Sequence, residues 1–293
     1  MPRYHRPQTL QDALALRAAA PGPALAIMAG GTDVFPVQTH RAVWFETLDR
    51  DVLDLTALPD LDGVSASGGS IRIGALTRWS TLAEAELPAA FDALKQACRQ
   101  VGGAQIQNRA SIGGNLCNAS PAADGVPPLL ALDAEVELAN LTGSRRLKLS
   151  DFVLGNRRTA LAPDEILVAL HVPSPPASMR STFLKLGARA YLVISIVSVA
   201  ANLALDERGR IVDLRLAVGA CSATPLRLHD LEARLLGQQA SAAVAASVSA
   251  ADLARLAPID DVRASAAYRQ DAALTLVRRA LTRLLTAPLE DAA

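Results

Sequence analysis

At 293 residues, with 51% hydrophobic and 20% charged residues, the chain has the composition of a folded protein and exceeds what one hydrophobic core usually organises. Lys and Arg number 29 against 29 Asp and Glu, and this balance leaves no electrostatic footprint for nucleic acid or an anionic membrane surface. Cys98, Cys117 and Cys221 are odd in number and far apart, which excludes a disulfide framework, a zinc site or an iron–sulfur cluster built from this chain alone and points to a reducing, cytoplasmic setting.

The first ten residues are polar, with Pro2 and Pro7, and carry no secretory signal. Thr9 before Leu10, Ala13, Leu14 and Leu16, with Asp12 three positions on, opens a helix that Pro21-Gly22-Pro23 closes. Residues 24–29 form an apolar run ending at Gly30-Gly31, which predicts a buried strand feeding a tight loop, and residues 34–48 have the length of a helix. Residues 52–55 predict a strand, 63–67 and 70–74 a hairpin, and 79–86 and 89–101 helices. From 102 to 128 periodicity vanishes into Gly, Asn, Ser and Pro, a run too long for an idle connection and therefore a functional loop. Strands resume at 134–138 and 145–149, then a helical or turn segment over 152–166 and a strand at 167–172. Pro173-Ser174-Pro175-Pro176 marks the main domain boundary. Beyond it, 194–205 and 211–220 predict a hairpin within a sheet of two or three strands. The most apolar stretch, 191–205, contains Ser195, Ser198 and Asn202 and is shorter than the ~20 residues of a membrane span, so it reads as a core strand. Residues 239–257 are a small-residue helix or a loosely held connection, and 264–285 a long amphipathic helix.

Two glycine pairs carry the chemistry. Ala29-Gly30-Gly31-Thr32-Asp33 lies between a predicted strand and a predicted helix, where unblocked backbone N–H groups can meet phosphate; alone, such a pair is more often a plain tight turn. Ser111-Ile112-Gly113-Gly114-Asn115, followed by Asn118-Ala119-Ser120-Pro121 and Asp124, surrounds a second pair with short hydrogen-bonding side chains suited to ribityl hydroxyls and phosphate oxygens. Two cradles suit a dinucleotide. Neither has the G-x-G-x-x-G spacing, which disfavours the Rossmann arrangement.

These two segments resemble those of the FAD-binding (medium) subunit of molybdenum hydroxylases, the family of bacterial xanthine, carbon monoxide and aldehyde dehydrogenase flavoproteins. The likeness runs through nearly the whole chain, including Ile73-Gly74-Ala75-Leu76-Thr77, Pro163-Asp164-Glu165-Ile166-Leu167, Phe183-Leu184-Lys185-Leu186 and Ser265-Ala266-Ala267-Tyr268-Arg269. The resemblance implies an α+β protein: a vanillyl-alcohol-oxidase/PCMH-type FAD domain over residues 1–176, in lobes of about 1–56 and 57–176, then a small C-terminal α+β domain over 177–293. It implies FAD contacts by Ile27, Met28, Ala29, Gly30, Gly31, Thr32, Asp33 and Val34 on the pyrophosphate, by Gly102, Ser111, Gly113, Gly114, Asn115, Asn118 and Asp124 opposite, and by Ile166, Leu167 and Lys185 near the flavin or the adenine. It also implies partners: a small subunit with two [2Fe–2S] clusters and a large molybdopterin subunit, doubled into a heterohexamer, with NAD+ or another acceptor. Ser111 replaces the commoner Thr, and Asn108-Arg109-Ala110 departs from the usual Arg-Asn order. No catalytic acid–base residue and no metal ligand is assigned to this chain. A free-standing flavin reductase or oxidase, or a flavin-binding scaffold, are the other readings.

Plainer roles compete at single positions. Asp124 could cap a helix over 127–132, Lys185 could be a surface lysine, and Cys117 could be inert. Arg278, Arg279 and Arg283 suit a solvated helix face or a docking surface, and His5, His40, His171 and His229 show no metal-ligand spacing.

Overall fold

A computed structural model describes residues 2–36 and 50–286. The described residues form three main sheets. The first is parallel, in the order β1 (Tyr4–His5), β3 (Asp51–Asp54), β2 (Leu25–Met28), with the helix Leu10–Ala19 packed on it. Thr9 caps that helix, its hydroxyl accepting from the Asp12 N–H at 3.1 Å and donating to the Asp12 carboxylate at 2.7 Å. The second sheet is antiparallel, in the order β4 (Val64–Ser67), β5 (Ser70–Gly74), β10 (Ile166–Pro173), β6 (Glu135–Asn140), β7 (Gly143–Lys148). Its central strand β10 is buried from Ile166 to Val172 because it has a core on each side. Leu167, Leu170 and Val172 join the large core with Trp79, Phe91 and Phe152, while Ile166 and Val168 meet Leu25 and Leu53 of the first sheet. A near-continuous apolar run is what a strand between two layers requires.

A two-stranded hairpin of β8 (Val153–Gly155) and β9 (Arg158–Thr159) leads on toward β10. The third sheet comprises β11 (Arg180–Leu186), β12 (Val197–Leu205), β13 (Ile211–Gly219) and β14 (Leu226–Arg227), all antiparallel. The helix Ala266–Leu285 covers one face through Ala273, Val277 and Leu281, against Val199, Ala201 and Leu216. The other face meets helices of the preceding half: Ala93, Ala97 and Ala131 pack on Phe183 and Ala200. Asn202 donates across this seam to Ala90 O at 2.9 Å, and Ser181 Oγ donates to Ala89 O at 2.9 Å. The halves therefore share a buried joint of small residues, and cutting the chain at residue 177 would bare an apolar face.

Several expectations need correction. The segment 102–128 is not a loop but three short helices, Ala104–Gln107, Ile112–Asn118 and Val126–Ala131, whose poor intrinsic propensity is overridden by packing of Ile112, Leu116 and Leu129 in the core. Of residues 191–205 only those from Val197 onward are strand; Tyr191, Leu192 and Ile194 are exposed. The third sheet has four strands, since Arg180–Leu186, whose apolar residues are broken by Lys185, pairs along its length with β12. The helical or turn segment expected over 152–166 is the β8–β9 hairpin, and 239–257 holds two short helical pieces, Ala242–Ala246 and Ala250–Leu253. Of the helix expected over 34–48, residues 34–36 are helical and 37–49 lie outside the described residues. No helix among the described residues is long and apolar enough to cross a membrane.

Candidate functional site

The first glycine loop leaves the carboxyl end of β2, where parallel strands characteristically present ligand sites. Gly31 has φ +75°, a conformation that frees the chain to turn, and its carbonyl accepts from Phe35 N–H at 3.1 Å to start a helical turn. Gly30 serves a different need. A Cβ there would lie 1.8 Å from the Arg109 carbonyl oxygen, so the two glycine segments touch backbone to backbone. No hydrogen bond is made by the N–H groups of Gly30, Gly31, Thr32 or Asp33 among the described residues, which leaves that loop with unspent donors.

The second pair begins the helix Ile112–Asn118. Ser111 is its N-cap, accepting from Gly114 N–H at 3.2 Å. Ile112 N–H is bound to Thr77 O at 3.0 Å and Gly113 N–H to Ala75 O at 2.9 Å, so this helix end is stitched to the chain after β5 and offers few backbone donors. Gly113 is required by that stitch, because its Cβ would lie 2.6 Å from Ala75 O. Gly114 is different: the atoms nearest its Cβ position are Ser111 Oγ at 3.1 Å and the Ala29 methyl at 3.9 Å, in the gap between the loops. Each pair thus has one glycine that lets segments approach, Gly30 and Gly113, whereas Gly31 makes the turn and Gly114 faces the gap.

That space is a cavity of about 640 Å³, within the few-hundred to ~1,000 Å³ range of small-molecule sites. Ile27, Ala29, Gly30, Gly31, Thr32, Asp33, Val34, Ser111, Gly113, Gly114, Asn115, Asn118, Ile166 and Leu167 all line it. Its described ionisable wall consists of Arg17, Arg50 and Arg157 against Asp33. Three arginines and one aspartate leave a formal charge of +2, opposite to that of a diphosphate. Asn115 Oδ1 and Trp79 Nε1, both on wall residues, are buried without a hydrogen-bond partner. A cationic cleft with unspent loop donors and aliphatic ends fits a flavin dinucleotide.

Four expected contacts fall elsewhere. Met28 faces a neighbouring cavity of about 460 Å³ behind the loop, which shares Ala29, Gly30 and Leu76 with the first. Gly102, at φ +55°, turns the chain beside Ile106 but does not line the cleft; Val101 does. Asp124 and Lys185 are turned to each other, Nζ to Oδ2 at 2.7 Å, with side chains 8% and 6% exposed. Lys185 also donates to Gln100 O at 3.2 Å, and Ser195 donates to the second Asp124 oxygen. The helix-cap and surface-lysine roles are thereby both ruled out: the helix Val126–Ala131 has no side-chain cap, and the pair clamps β11 to the segment following the second glycine loop.

Sequence reasoning missed Arg17, Trp79, Val101, Ile106, Cys117 and Arg157 on the wall. Gly114, Cys117 and Asn118 share a helix face at spacings of three and four, a signal available once the segment is known to be helical. Cys98 and Cys221 are buried and unpaired, Cys117 is exposed and unpaired, and no described group of His, Cys, Asp or Glu is placed to hold a metal ion. Arg278 and Arg283 are not a free face: they donate to Val248 O and to Thr182 Oγ1.

The turn into β10 is fixed by Glu165, which takes Arg145 Nε and Nη2 at 2.6 and 2.9 Å and the Ala162 N–H at 2.8 Å. The Arg145 hydrogen bonds, opposed by burial, hold the Glu165 carboxyl below the usual carboxylate range. A depressed acid stabilises the fold above its unfolded value of about 4.3, and that contribution is lost as pH falls through the lower native value. Glu165→Gln is expected to cost about 1 kcal/mol near neutral pH, Arg145 being half exposed, with the gap to wild type closing on acidification. Denaturant midpoints across pH check this; a gap that widens in acid would contradict it.

The fold and cleft define a two-domain FAD-binding protein. Residues 1–175 match the family described as the FAD binding domain in molybdopterin dehydrogenase, and 182–284 the CO dehydrogenase flavoprotein C-terminal domain. The chain belongs to the FAD-binding medium subunits of the molybdenum hydroxylase family. It is 33% identical over 287 residues to a xanthine dehydrogenase FAD-binding subunit of Escherichia coli O157:H7, covering 97% of this chain and 96% of that one. It is 34% identical over 238 residues to the nicotinate dehydrogenase FAD-subunit of Eubacterium barkeri, covering 80% and 79%. Among solved structures, a chain of the cyanide-inactivated Cu,Mo-CO dehydrogenase superposes with a TM-score of 0.89 at 28% identity, over 97% of this chain and 99% of that one.

Proposed function

We propose that this chain is the electron-transfer subunit of a three-component molybdenum hydroxylase. Substrate is hydroxylated at a molybdopterin centre in a large partner, electrons travel singly through two [2Fe–2S] clusters of a small partner, and pairs leave here to NAD+ or another acceptor. FAD supplies the conversion between single electrons and pairs; the protein binds, orients and shields it. Residues 1–176 form the FAD domain, in lobes of about 1–56 and 57–176, and 177–293 the second domain. The observation that carries the reading is the convergence of both glycine loops on one cleft of formal charge +2. Three scattered cysteines cannot supply the roughly four thiolates of even one cluster, so the clusters belong to another chain. Of the expected contacts, the fourteen that line the cleft hold the cofactor, whereas Asp124 and Lys185 act by fixing its walls.

Affinity purification from the native host, with identification of bound chains and cofactors, tests this. A small iron–sulfur chain and a large molybdenum chain should co-elute, two copies of each with two of this one. A chain that elutes alone, with its flavin reduced by a soluble donor at full catalytic rate, would establish a free-standing reductase instead.

A further inference from the structure

The N-terminal helix buries an arginine that the fold does not pay off. Arg17, on the helix Leu10–Ala19, is 6% exposed, and a buried guanidinium ordinarily has a carboxylate partner. None lies within ion-pair distance of it among the described residues. Asp164 acts on it only at longer range and takes a hydrogen bond from Asn140 at 3.2 Å. Nη1 donates to Gly22 O at 2.8 Å and Leu25 O at 3.3 Å, Nε is buried without a partner, and Nη2 makes no hydrogen bond among the described residues. Arg17 also lines the cleft, so the unspent Nη2 donors, unlike the buried Nε, are available to whatever fills that end.

The position of that end identifies the ligand part. Arg17 is tied to Leu25 O at the start of β2, five residues before Gly30; at ~3.3 Å per residue this is about 16 Å, too far for a diphosphate held by the glycine loops. Gly22 N–H donates to Pro163 O at 3.0 Å, bringing the segment 161–167 beside the helix end. Around Arg17 the wall is aliphatic apart from Arg50: Leu25, Ala26, Ile27, Leu161, Ile166 and Leu167. Asn115 and Asn118 lie on the other side, past the second glycine pair, where polar side chains match ribityl hydroxyls. This largely apolar end, where Arg17 and Arg50, the latter next to the Asp51 that pairs with Leu25, are the donor-only groups, suits adenine, whose ring nitrogens N1, N3 and N7 are acceptors.

We propose that Arg17 recognises the adenosine half of the dinucleotide by donating a guanidinium hydrogen bond to an acceptor nitrogen of the adenine ring. This rests on the FAD reading of the cleft. The test uses the full chain stripped of flavin, with ADP, ADP analogues in which N1, N3 or N7 is replaced by carbon, and FMN as titrants. One analogue should bind wild type about tenfold or more weakly than ADP. Arg17→Met and Arg17→Lys should weaken ADP to a similar degree, bind that analogue and ADP alike, and leave FMN unchanged. The loss of the analogue's penalty in the variants is a coupling that a merely structural arginine would not show. If all three analogues bind wild type as ADP does, or if FMN weakens together with ADP, the assignment is wrong. Should the variants fail to fold, the wild-type analogue series decides by itself. A wild-type chain that binds neither FAD nor ADP would instead overturn the FAD reading.

Discussion

Gly114→Val is expected to abolish FAD binding, weakening it at least a hundredfold, in a chain that still folds. The valine methyls would project into the gap between the glycine loops, where only Ser111 Oγ at 3.1 Å and the Ala29 methyl at 3.9 Å approach the Cβ position. Valine has a better helix propensity than glycine, so the fold has little reason to fail. Gly113→Val provides the contrast: one residue away, its Cβ would lie 2.6 Å from the Ala75 carbonyl, and it should lower stability outright. Gly31 discriminates less well, because at φ +75°, with the Phe35 ring 2.5 Å from its Cβ position, any side chain adds strain to obstruction. Circular dichroism melts alongside FAD titration separate these outcomes. Full FAD occupancy by folded Gly114→Val would show that the cofactor lies elsewhere.

Lys185→Met is expected to be the most damaging change outside the glycine loops, at about 3–5 kcal/mol, because it strands the Asp124 carboxylate in a site that is 92–94% enclosed on both partners. Burial, only partly offset by Lys185 and the Ser195 hydroxyl, already holds Asp124 above the usual carboxylate range. A raised acid binds its proton more tightly in the native state, so stability is gained as pH falls through the native value toward the unfolded one. The deficit of Lys185→Met should therefore shrink in mild acid, the reverse of the trend for Glu165→Gln. Asp124→Leu combined with Lys185→Met should recover most of the loss, since an apolar pair replaces a buried ionic one without an uncompensated charge. Denaturant unfolding of single and double variants measures this; a single variant within 1 kcal/mol of wild type would mean that the pair does not hold the joint.

How much of this was legible in the sequence depended on whether the signal was local. Thr9 with Asp12, the apolar run into β2, the β4–β5 hairpin and the helix Ala266–Leu285 follow from caps, turns and periodicity, and all are present. The helix Ile112–Asn118 was hidden because its glycines and asparagines have poor propensity, and what holds it is tertiary: Ile112 and Leu116 in the core and two N–H groups bound to residues 75 and 77. β11 was hidden by Lys185, whose charge reads as surface until its partner 61 residues away is known. Glycine roles divided in the same way. Sequence marked all four, but only the fold tells the two that permit backbone approach, Gly30 and Gly113, from Gly31, which makes the turn, and Gly114, which faces the cleft. Nothing local in the sequence singled out Arg17; its burial and its place on the cleft wall come from segments far along the chain.

The central claim, that the gap between the glycine loops is the seat of a noncovalently bound FAD, is tested most directly by counting flavin. Purified wild type and Gly114→Val, each saturated with FAD and desalted, would be denatured in acid and the released flavin quantified by fluorescence against protein. One FAD per wild-type chain, fully released, and almost none from the folded variant is the predicted result. A wild-type chain that stays colourless in excess FAD, or a variant that carries as much flavin as wild type, would contradict it.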